Sequence, residues 1–252
     1  MKSKIQTESG NFGTCYFMDC LEGMIQQKVK VDLVIADPPY GVDVGNLKKD
    51  LERLCKHGGQ YKNKLMYNDQ SKHYGKNGDY YAWIQMVFQM VKECAKQVII
   101  TPGEPNLIFY LTTFEAPSEI MMHYKSNCVS FTHGCRYAKF EHILVYGKLK
   151  PFQFHSNVFA FPLNNCFRQE HHLDHPCPKT YDLWYELIQK SKPTSVCDPF
   201  LGSGTTAQVC ESLGIRWVGF ETNLQYRKDI QSRIKEGMLI YAESQTTGLG
   251  EY

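Results

Sequence analysis

The sequence predicts an α/β fold with a doubly wound, mostly parallel sheet, and three observations lead to this prediction. Apolar runs with the length of buried strands recur along the 252 residues, at Val31–Ala36, Gln97–Thr101, Ser195–Cys197 and Arg216–Phe220. Between them lie segments whose apolar residues repeat with a helical period, as in residues 80–96. Polar or glycine-rich motifs follow directly after two of the strands, where open α/β sheets place their ligands.

The remaining elements follow from shorter patterns. Thr14–Met18 is predicted as a first strand, and a short helix is expected at Leu107–Leu111 after the break at Pro102. Cys128–Thr132 and Glu141–Tyr146 have the composition of an antiparallel strand pair. Helices are predicted at Tyr181–Ser191, after Thr206 and at Asn223–Glu236.

Composition narrows the class of protein. The length suits a single α/β domain, which we place at 1–237, with a loose tail over 238–252. The sequence contains no run of about 18 apolar residues, so no membrane span is predicted. The first residues lack an apolar signal segment, so we expect a cytoplasmic protein. The ten cysteines include no Cys-x-x-Cys pair and are expected to be free thiols. The net charge of +2 does not by itself demand nucleic acid.

The tetrapeptide Asp37-Pro38-Pro39-Tyr40 ends the strand Val31–Ala36. Two consecutive prolines restrict the backbone and remove two N–H donors, which leaves carbonyl oxygens free to accept from a ligand. Such a loop can hold a flat group that carries an NH2. The ring of Tyr40 would stack on the group, while Asp37 and the Pro38 carbonyl would accept the two amino hydrogens. The alternative for this motif alone is a rigid turn whose tyrosine packs in the core.

A second motif, Asp198–Thr206, follows the strand Ser195–Cys197 and begins a helix. Glycines in such a turn let the backbone approach a ligand closely, so the motif predicts a cofactor cradle. The next strand ends at Glu221, and a carboxylate at this point typically binds a ribose diol. The alternative is an ordinary strand–turn–helix connection.

Together these motifs resemble the DNA amino-methyltransferases that use S-adenosylmethionine, the N6-adenine/N4-cytosine family. The resemblance is to the β group, in which the catalytic tetrapeptide precedes the cofactor loop, and it extends from about Cys15 to Glu236. It implies a Rossmann-like methyltransferase fold with seven strands, the seventh antiparallel, and a circularly permuted motif order. Methyltransferases of RNA or protein amides carry a related tetrapeptide but mostly place the glycine-rich loop first, so they are the less favoured alternative.

The resemblance implies the site residues. The catalytic residues would be Asp37, Pro38, Pro39 and Tyr40. S-adenosylmethionine would be held by Asp19, Asp37, His175, Lys179, Asp198, Phe200, Gly202, Ser203, Gly204, Thr205, Glu221 and Asn223.

Two of these assignments have an alternative or a departure from the family pattern. Asp19 would lie near the adenine of the cofactor, with a simple helix cap as the alternative. His175 and Lys179 match the family's His-x-x-x-Lys-Pro element, although Thr180 stands in place of its proline.

The resemblance also implies the substrate. Asp at the first motif position is commoner in adenine-N6 enzymes and Ser in cytosine-N4 enzymes, so adenine in double-stranded DNA is expected and cytosine is the alternative. A DNA-binding module without turnover is the alternative from another class. Relatives often form homodimers and often belong to restriction-modification systems.

Two segments are candidates for DNA contact. Residues 41–79 form a long polar segment, in which 44–78 contain eight Lys and Arg against three Asp and Glu, interleaved with tyrosines. The alternative is a solvated loop. Residues 151–173 are irregular and aromatic, and the family places target recognition at this position. His171, His172, His175 and Cys177 fit no usual zinc spacing, and no metal is expected.

Overall fold

The protein is described by a computed structural model that covers residues 5–40, 80–127, 139–162, 173–175 and 178–247. Nine strands form one sheet: β1 Thr7–Ser9, β2 Gly13–Phe17, β3 Val31–Ala36, β4 Ala95–Ile100, β5 Glu119–Tyr124, β6 Phe140–Gly147, β7 Val158–Ala160, β8 Ser195–Asp198 and β9 Arg216–Glu221.

Six α-helices connect the strands in the described ranges: α1 Cys20–Gln26, α2 Tyr80–Cys94, α3 Leu107–Thr113, α4 Tyr181–Ser191, α5 Thr205–Leu213 and α6 Arg227–Thr247. Short 3-10 turns precede two of them, at Glu104–Asn106 and Leu224–Tyr226. None of these helices has both the length and the apolar character needed to cross a membrane.

The strand order β1-β2-β9-β8-β3-β4-β6-β5-β7 confirms the predicted α/β fold with a mostly parallel sheet. Strands β2, β9, β8, β3 and β4 run parallel to one another, and β6 runs antiparallel to both β4 and β5. The expected number of seven strands was too low. The two extra strands, β1 and β7, are three-residue edge strands, too short to show a period in the sequence.

Helices cover both faces of the sheet and produce two hydrophobic cores. On one face α4, α5 and α6 pack through residues such as Trp184, Val209 and Ile230. On the other face α1, α2 and α3 pack through Met24, Trp83 and Tyr110, among others. This three-layer arrangement follows from the sequence, because strands buried on both sides need apolar residues at nearly every position.

The predicted partner of the strand at 141–146 was wrong in part. Besides β4, the strand that pairs antiparallel with β6 is β5. Its sequence Glu-Ile-Met-Met-His-Tyr mixes polar and apolar residues and was not predicted. The segment Cys128–Thr132, expected in that role, lies outside the described residues.

The loose tail predicted over 238–252 was wrong for residues 238–247, because α6 continues to Thr247. Met238 packs against the core around α5, and the ring of Tyr241 meets that of Phe12 edge-on, with centroids 4.9 Å apart. Tyr241 also fits closely against Gly214, where a Cβ atom would lie 2.7 Å from the ring. The buried face of α6 therefore continues beyond Glu236, the predicted end of the helix, through apolar contacts at Ile230, Ile234, Met238 and Tyr241.

Two predictions concern segments that are described only in part or not at all. The basic segment 41–79 lies outside the described residues. Of the stretch 151–173, residues 151–162 and 173 are described, and they include β7, which pairs with β5. The single domain and the recognition role of 151–173 stay predictions.

The parallel strands bring their carboxyl ends to one edge of the sheet, called here the catalytic edge. Asp37 follows β3, the segment from Asp198 follows β8, and Glu221 ends β9. Because β8 lies between β3 and β9, these three acidic residues are neighbours although they are far apart in sequence.

Candidate active site

Asp37 is the centre of a polar cluster at the catalytic edge. Its Oδ1 atom accepts hydrogen bonds from the Tyr40 hydroxyl at 2.8 Å and the Thr101 hydroxyl at 2.6 Å. The Lys179 ammonium lies 2.9 Å from the same oxygen. Within the part of the chain that the structure describes, no donor lies on Oδ2, and a quarter of the side-chain surface is exposed. One carboxylate oxygen is therefore held by the protein, and the other is available to a ligand.

Tyr40 is held at both its backbone and its side chain. Its carbonyl oxygen accepts from the Asn106 amide at 2.9 Å, and Asn106 is buried. Its ring lies against Gly103, where a Cβ atom would come within 2.7 Å of the ring. Gly103 also has a φ of +72°, which side chains rarely adopt, so both the space and the backbone conformation require glycine.

Glu141, at the start of β6, completes the cluster. Its Oε1 atom accepts from the Lys179 ammonium at 2.7 Å and from the Tyr40 hydroxyl at 2.8 Å. Its other oxygen lies 3.9 Å from Nδ1 of His123, whose Nε2 hydrogen bonds to the Phe161 carbonyl at 2.9 Å. Lys179 thus lies between two carboxylates, those of Asp37 and Glu141.

The charges of this cluster shift the pKa values of its members. Burial raises the pKa of Asp37 above its ordinary value and Glu141 adds to this, whereas Lys179 opposes it. Burial also raises the pKa of Glu141, but the charges of Lys179 and Lys125 and the hydrogen bonds to the carboxylate together outweigh it and hold that pKa well below the usual range. Burial lowers the pKa of Lys179, yet the two carboxylates raise it above its usual value. The lysine therefore stays charged, and Asp37 is the more basic carboxylate.

The cofactor side of the edge is built around Glu221. Its two carboxylate oxygens accept from the backbone N–H of Gly202 at 2.8 Å and of Asn223 at 2.7 Å. Burial raises the pKa of Glu221 to about 7. Gly202 and Gly204 have φ values of +54° and +91°, so the backbone of this loop turns in a way that favours glycine. The arrangement joins the glycine-rich loop to the carboxylate at the tip of β9.

The Asp198 side chain stabilises this loop through hydrogen bonds to residues at both of its ends. Its carboxylate accepts from the Phe200 N–H at 2.8 Å and from the Thr206 hydroxyl at 2.5 Å, and burial raises its pKa to about 7. The side chains of Ser203 and Thr205 are also buried. Asp198, Ser203 and Thr205 therefore lie on the predicted loop, and their side chains are buried.

His175 lies against the same loop. The Cβ atom that Gly202 lacks would come 3.0 Å from the His175 Nε2 atom, so the absent side chain makes room for the imidazole. Burial lowers the pKa of His175 to about 4, with Arg233 and Lys179 adding to the effect, and the ring is neutral at pH 7. The Asp229 carboxylate on α6 accepts from the His175 N–H at 2.9 Å and fixes this segment.

Asp19 caps helix α1, as one of its two predicted roles required. Its Oδ1 atom accepts from the N–H groups of Leu21 at 2.9 Å and Glu22 at 3.2 Å. It follows β2, where Phe17 is paired with Glu221, so it also lies at the cofactor side of the catalytic edge.

Three residues of the site were not predicted from the sequence: Thr101, Asn106 and Glu141. Thr101 follows β4 as Asp37 follows β3, and the parallel pairing of these strands could have indicated it. Glu141 is a charged residue on a strand otherwise rich in apolar side chains, which is a usable signal. Asn106 carried no signal of this kind.

The described ranges contain no group of three or more His, Cys, Asp or Glu side chains that could hold a metal ion. His171, His172 and Cys177, the other members of the cluster considered from the sequence, lie outside them.

Comparison with known proteins places these features in context. The family model described as DNA methylase matches residues 31–232. The Type II methyltransferase M.HinfI of Haemophilus influenzae is 38% identical over 64 residues, which are 25% of this chain and 18% of that relative.

Several solved structures share the fold. The M1.HpyAVI–SAM complex has 20% identity and a TM-score of 0.58, and the match covers 87% of this chain and 98% of that one. The PvuII DNA methyltransferase, cytosine-N4-specific, has 17% identity and a TM-score of 0.59, with 97% of each chain covered. A putative DNA modification methylase from Thermus thermophilus, complexed with S-adenosyl-L-methionine, has 16% identity and a TM-score of 0.52, with 87% and 93% covered. At these identities the likeness concerns the fold alone.

Proposed function

The chain belongs to the DNA methylase family of N6-adenine and N4-cytosine enzymes, and from this premise we propose that it transfers a methyl group from S-adenosylmethionine to N6 of adenine in double-stranded DNA. One observation supports this most strongly. Asp37, with one carboxylate oxygen available, follows β3, while the glycine-rich loop follows the adjacent strand β8. A base and a cofactor can therefore meet in one crevice.

The residues on the cofactor side fit S-adenosylmethionine. Glu221 would bind the ribose hydroxyls, because each of its oxygens accepts one backbone N–H and has a lone pair left. The backbone of Gly202 and Gly204 would line the cofactor, with His175 beside them. Once bound, S-adenosylmethionine supplies a methyl group on a positively charged sulfur, and the carbon–sulfur bond breaks with its electrons left on sulfur.

Asp37 and the Pro38 carbonyl would act on the amino group of the base. The nitrogen lone pair of an exocyclic amine is delocalised into the ring, so the nitrogen is a poor nucleophile. Hydrogen bonds from its two N–H groups to Asp37 Oδ2 and the Pro38 oxygen would direct the lone pair toward the methyl group. Asp37 takes the proton that the nitrogen loses once it is methylated, and its raised pKa suits this role.

Tyr40 would stack on the base, which must leave the duplex to reach Asp37. Its backbone is fixed by Asn106 and its ring by Gly103, so the stacking surface is held in place before the base arrives. Lys125 and Lys139 lie at the same end of the sheet, at the end of β5 and the start of β6. They are candidates for contacts with DNA phosphates.

The choice of adenine rests on Asp37, because Asp at this position is commoner among the adenine enzymes that the motifs resemble. Cytosine-N4 methylation is the second candidate, since a carboxylate can accept hydrogen bonds from either amino group. Incubation with mixed-sequence duplex DNA and labelled S-adenosylmethionine, followed by digestion to nucleosides and mass spectrometry, decides between them. N6-methyladenine is expected, and N4-methylcytosine would overturn the choice of base. Methylation of RNA alone would overturn the substrate.

Binding of S-adenosylmethionine is expected to weaken as the pH falls below about 7. The ionised form of Glu221 accepts hydrogen bonds from both ribose hydroxyls, and its pKa is raised to about 7, so protonation removes acceptors below that pH. The affinity should fall by up to about tenfold per pH unit and level off above pH 7. Isothermal titration calorimetry between pH 5.5 and 8.5 measures this dependence.

Glu221→Gln is the matching variant. It should bind S-adenosylmethionine about 10 to 100 times more weakly at pH 8, because an amide has only one oxygen to offer, and its pH dependence should be flatter. Glu93→Gln, an exposed change at the opposite edge of the sheet, is the control and should bind like the unmodified protein. An affinity in Glu221→Gln equal to that control would contradict the assignment.

A further inference from the structure

Glu141 is a buried carboxylate in the centre of the site to which no function has been assigned above. It lies at the start of β6, only 12% of its side-chain surface is exposed, and it reaches the catalytic edge from the antiparallel strand of the sheet. Burying a carboxylate is unfavourable unless it is paired and hydrogen-bonded. The hydrogen-bond and ion-pair partners of Glu141 therefore indicate its role.

Glu141 and Asp37 share the same two partners. The Lys179 ammonium lies 2.7 Å from Glu141 and 2.9 Å from Asp37. The Tyr40 hydroxyl lies 2.8 Å from an oxygen of each carboxylate. A hydroxyl has one hydrogen, so Tyr40 can donate to only one of them at a time, whereas an ammonium has three and can serve both. Glu141 thus competes with Asp37 for the Tyr40 hydrogen and shares the Lys179 ammonium with it.

We propose that Glu141 is a positioning residue for methyl transfer, which shares the Lys179 charge and the Tyr40 hydroxyl with Asp37 and so keeps Asp37 a strong hydrogen-bond acceptor for the amino group. The inference rests on the proposed function, because it concerns how Asp37 acts on a base. Without the Glu141 charge, the whole charge of Lys179 would act on Asp37. A carboxylate fully paired with an ammonium is a weaker acceptor and a weaker base.

The surrounding charges are consistent with this role. Glu141 raises the pKa of Asp37, and Lys179 lowers it. The titratable and charged groups that act on the two carboxylates are Tyr40, Tyr110, His123, Lys125, Lys179 and Asp198. Of these, Lys179 is the only cation that hydrogen bonds to both carboxylates within the described ranges.

Glu141→Gln removes the charge and keeps the size, so it tests the proposal directly. The rate of methyl transfer in a single turnover should fall by about 10- to 100-fold. The acid limb of the pH profile of kcat/KM, which reports on the free enzyme, should move to lower pH by roughly one unit, because the pKa of Asp37 falls when a neighbouring negative charge is lost. The dissociation constant of S-adenosylmethionine should stay within about threefold.

Glu141→Asp separates charge from geometry. It keeps the charge but shortens the side chain, so the rate should fall while the acid limb stays where it is in the unmodified enzyme. Glu115→Gln, at the opposite end of the sheet before β5, is the control and should change neither quantity. Thermal unfolding of each variant establishes that it is folded.

The outcomes separate this inference from the proposed function. If the unmodified protein methylates DNA and Glu141→Gln has the same acid limb, Glu141 has no such role, whatever happens to the rate. An acid limb that moves equally in Glu141→Asp would also overturn the inference, because the shift would then come from geometry. If the unmodified protein methylates no DNA, the proposed function fails, and this inference fails with it.

Discussion

Replacing Asp37 by alanine is expected to lower the rate of methyl transfer to DNA by about a thousandfold or more. Asp37 has a carboxylate oxygen available to the amino group, and burial raises its pKa above the ordinary value. Alanine removes both the hydrogen-bond acceptor for the amino group and the base that takes its proton. The rate is measured in a single turnover with labelled S-adenosylmethionine, so that product release does not mask the chemical step.

Binding of S-adenosylmethionine should remain measurable in Asp37→Ala, because the loop at Gly202 and the carboxylate of Glu221 are untouched. Asp32→Asn is a matched control on the same strand, β3, but at its opposite end, where the side chain bonds to Lys96 and Thr194. It should keep the rate of the unmodified protein. Full activity in Asp37→Ala would remove Asp37 from the mechanism.

Replacing Glu211 by alanine is expected to lower the free energy of unfolding by about 3 kcal/mol or more. The Glu211 carboxylate is fully buried and accepts from the N–H groups of Asn11 and Phe12, each at 3.0 Å, and from the Trp217 indole at 2.7 Å. It thereby joins α5 to the β1–β2 turn and to β9. Alanine leaves these donors without their acceptor and opens a cavity beside Gly10.

Urea unfolding followed by circular dichroism measures this loss. Glu22→Ala is the control, because Glu22 is an exposed glutamate on α1 whose side chain accepts a hydrogen bond from Gln26 of the same helix. It should change the free energy of unfolding by less than about 0.5 kcal/mol. A loss below about 1 kcal/mol in Glu211→Ala would mean that water or a rearranged turn satisfies the three donors.

The two motifs that led to the family were readable in the sequence because each is local. Asp37–Tyr40 directly follows an apolar strand, and Asp198–Thr206 follows another, so a strand pattern and a few adjacent residue types were enough. Glu221 was found in the same way, at the tip of the next strand. The alternation of strands and helices then predicted the mostly parallel sheet, in which the strands before the two motifs, β3 and β8, are neighbours.

Elements with a weak local pattern were missed or cut short. The strand β5 mixes polar and apolar residues over only six positions, without a regular alternation. It lies between a proline-containing turn and a segment that resembled a strand more strongly. The last helix was predicted to end at Glu236, just before Gly237. That glycine packs against the backbone of Gln208, and its missing side chain brings α5 and α6 close together.

The contacts within the catalytic cluster were decided only by the tertiary structure. Lys179 was assigned to the cofactor from its motif, but its ammonium lies between Asp37 and Glu141. Thr101 and Glu141 reach Asp37 and its partners from separate strands. Local sequence patterns determine which residues form strands, turns and helix starts, because those depend on near neighbours. Which side chains then share a proton or a charge depends on strand order and on rotamers across the sheet, and no local pattern contains that information.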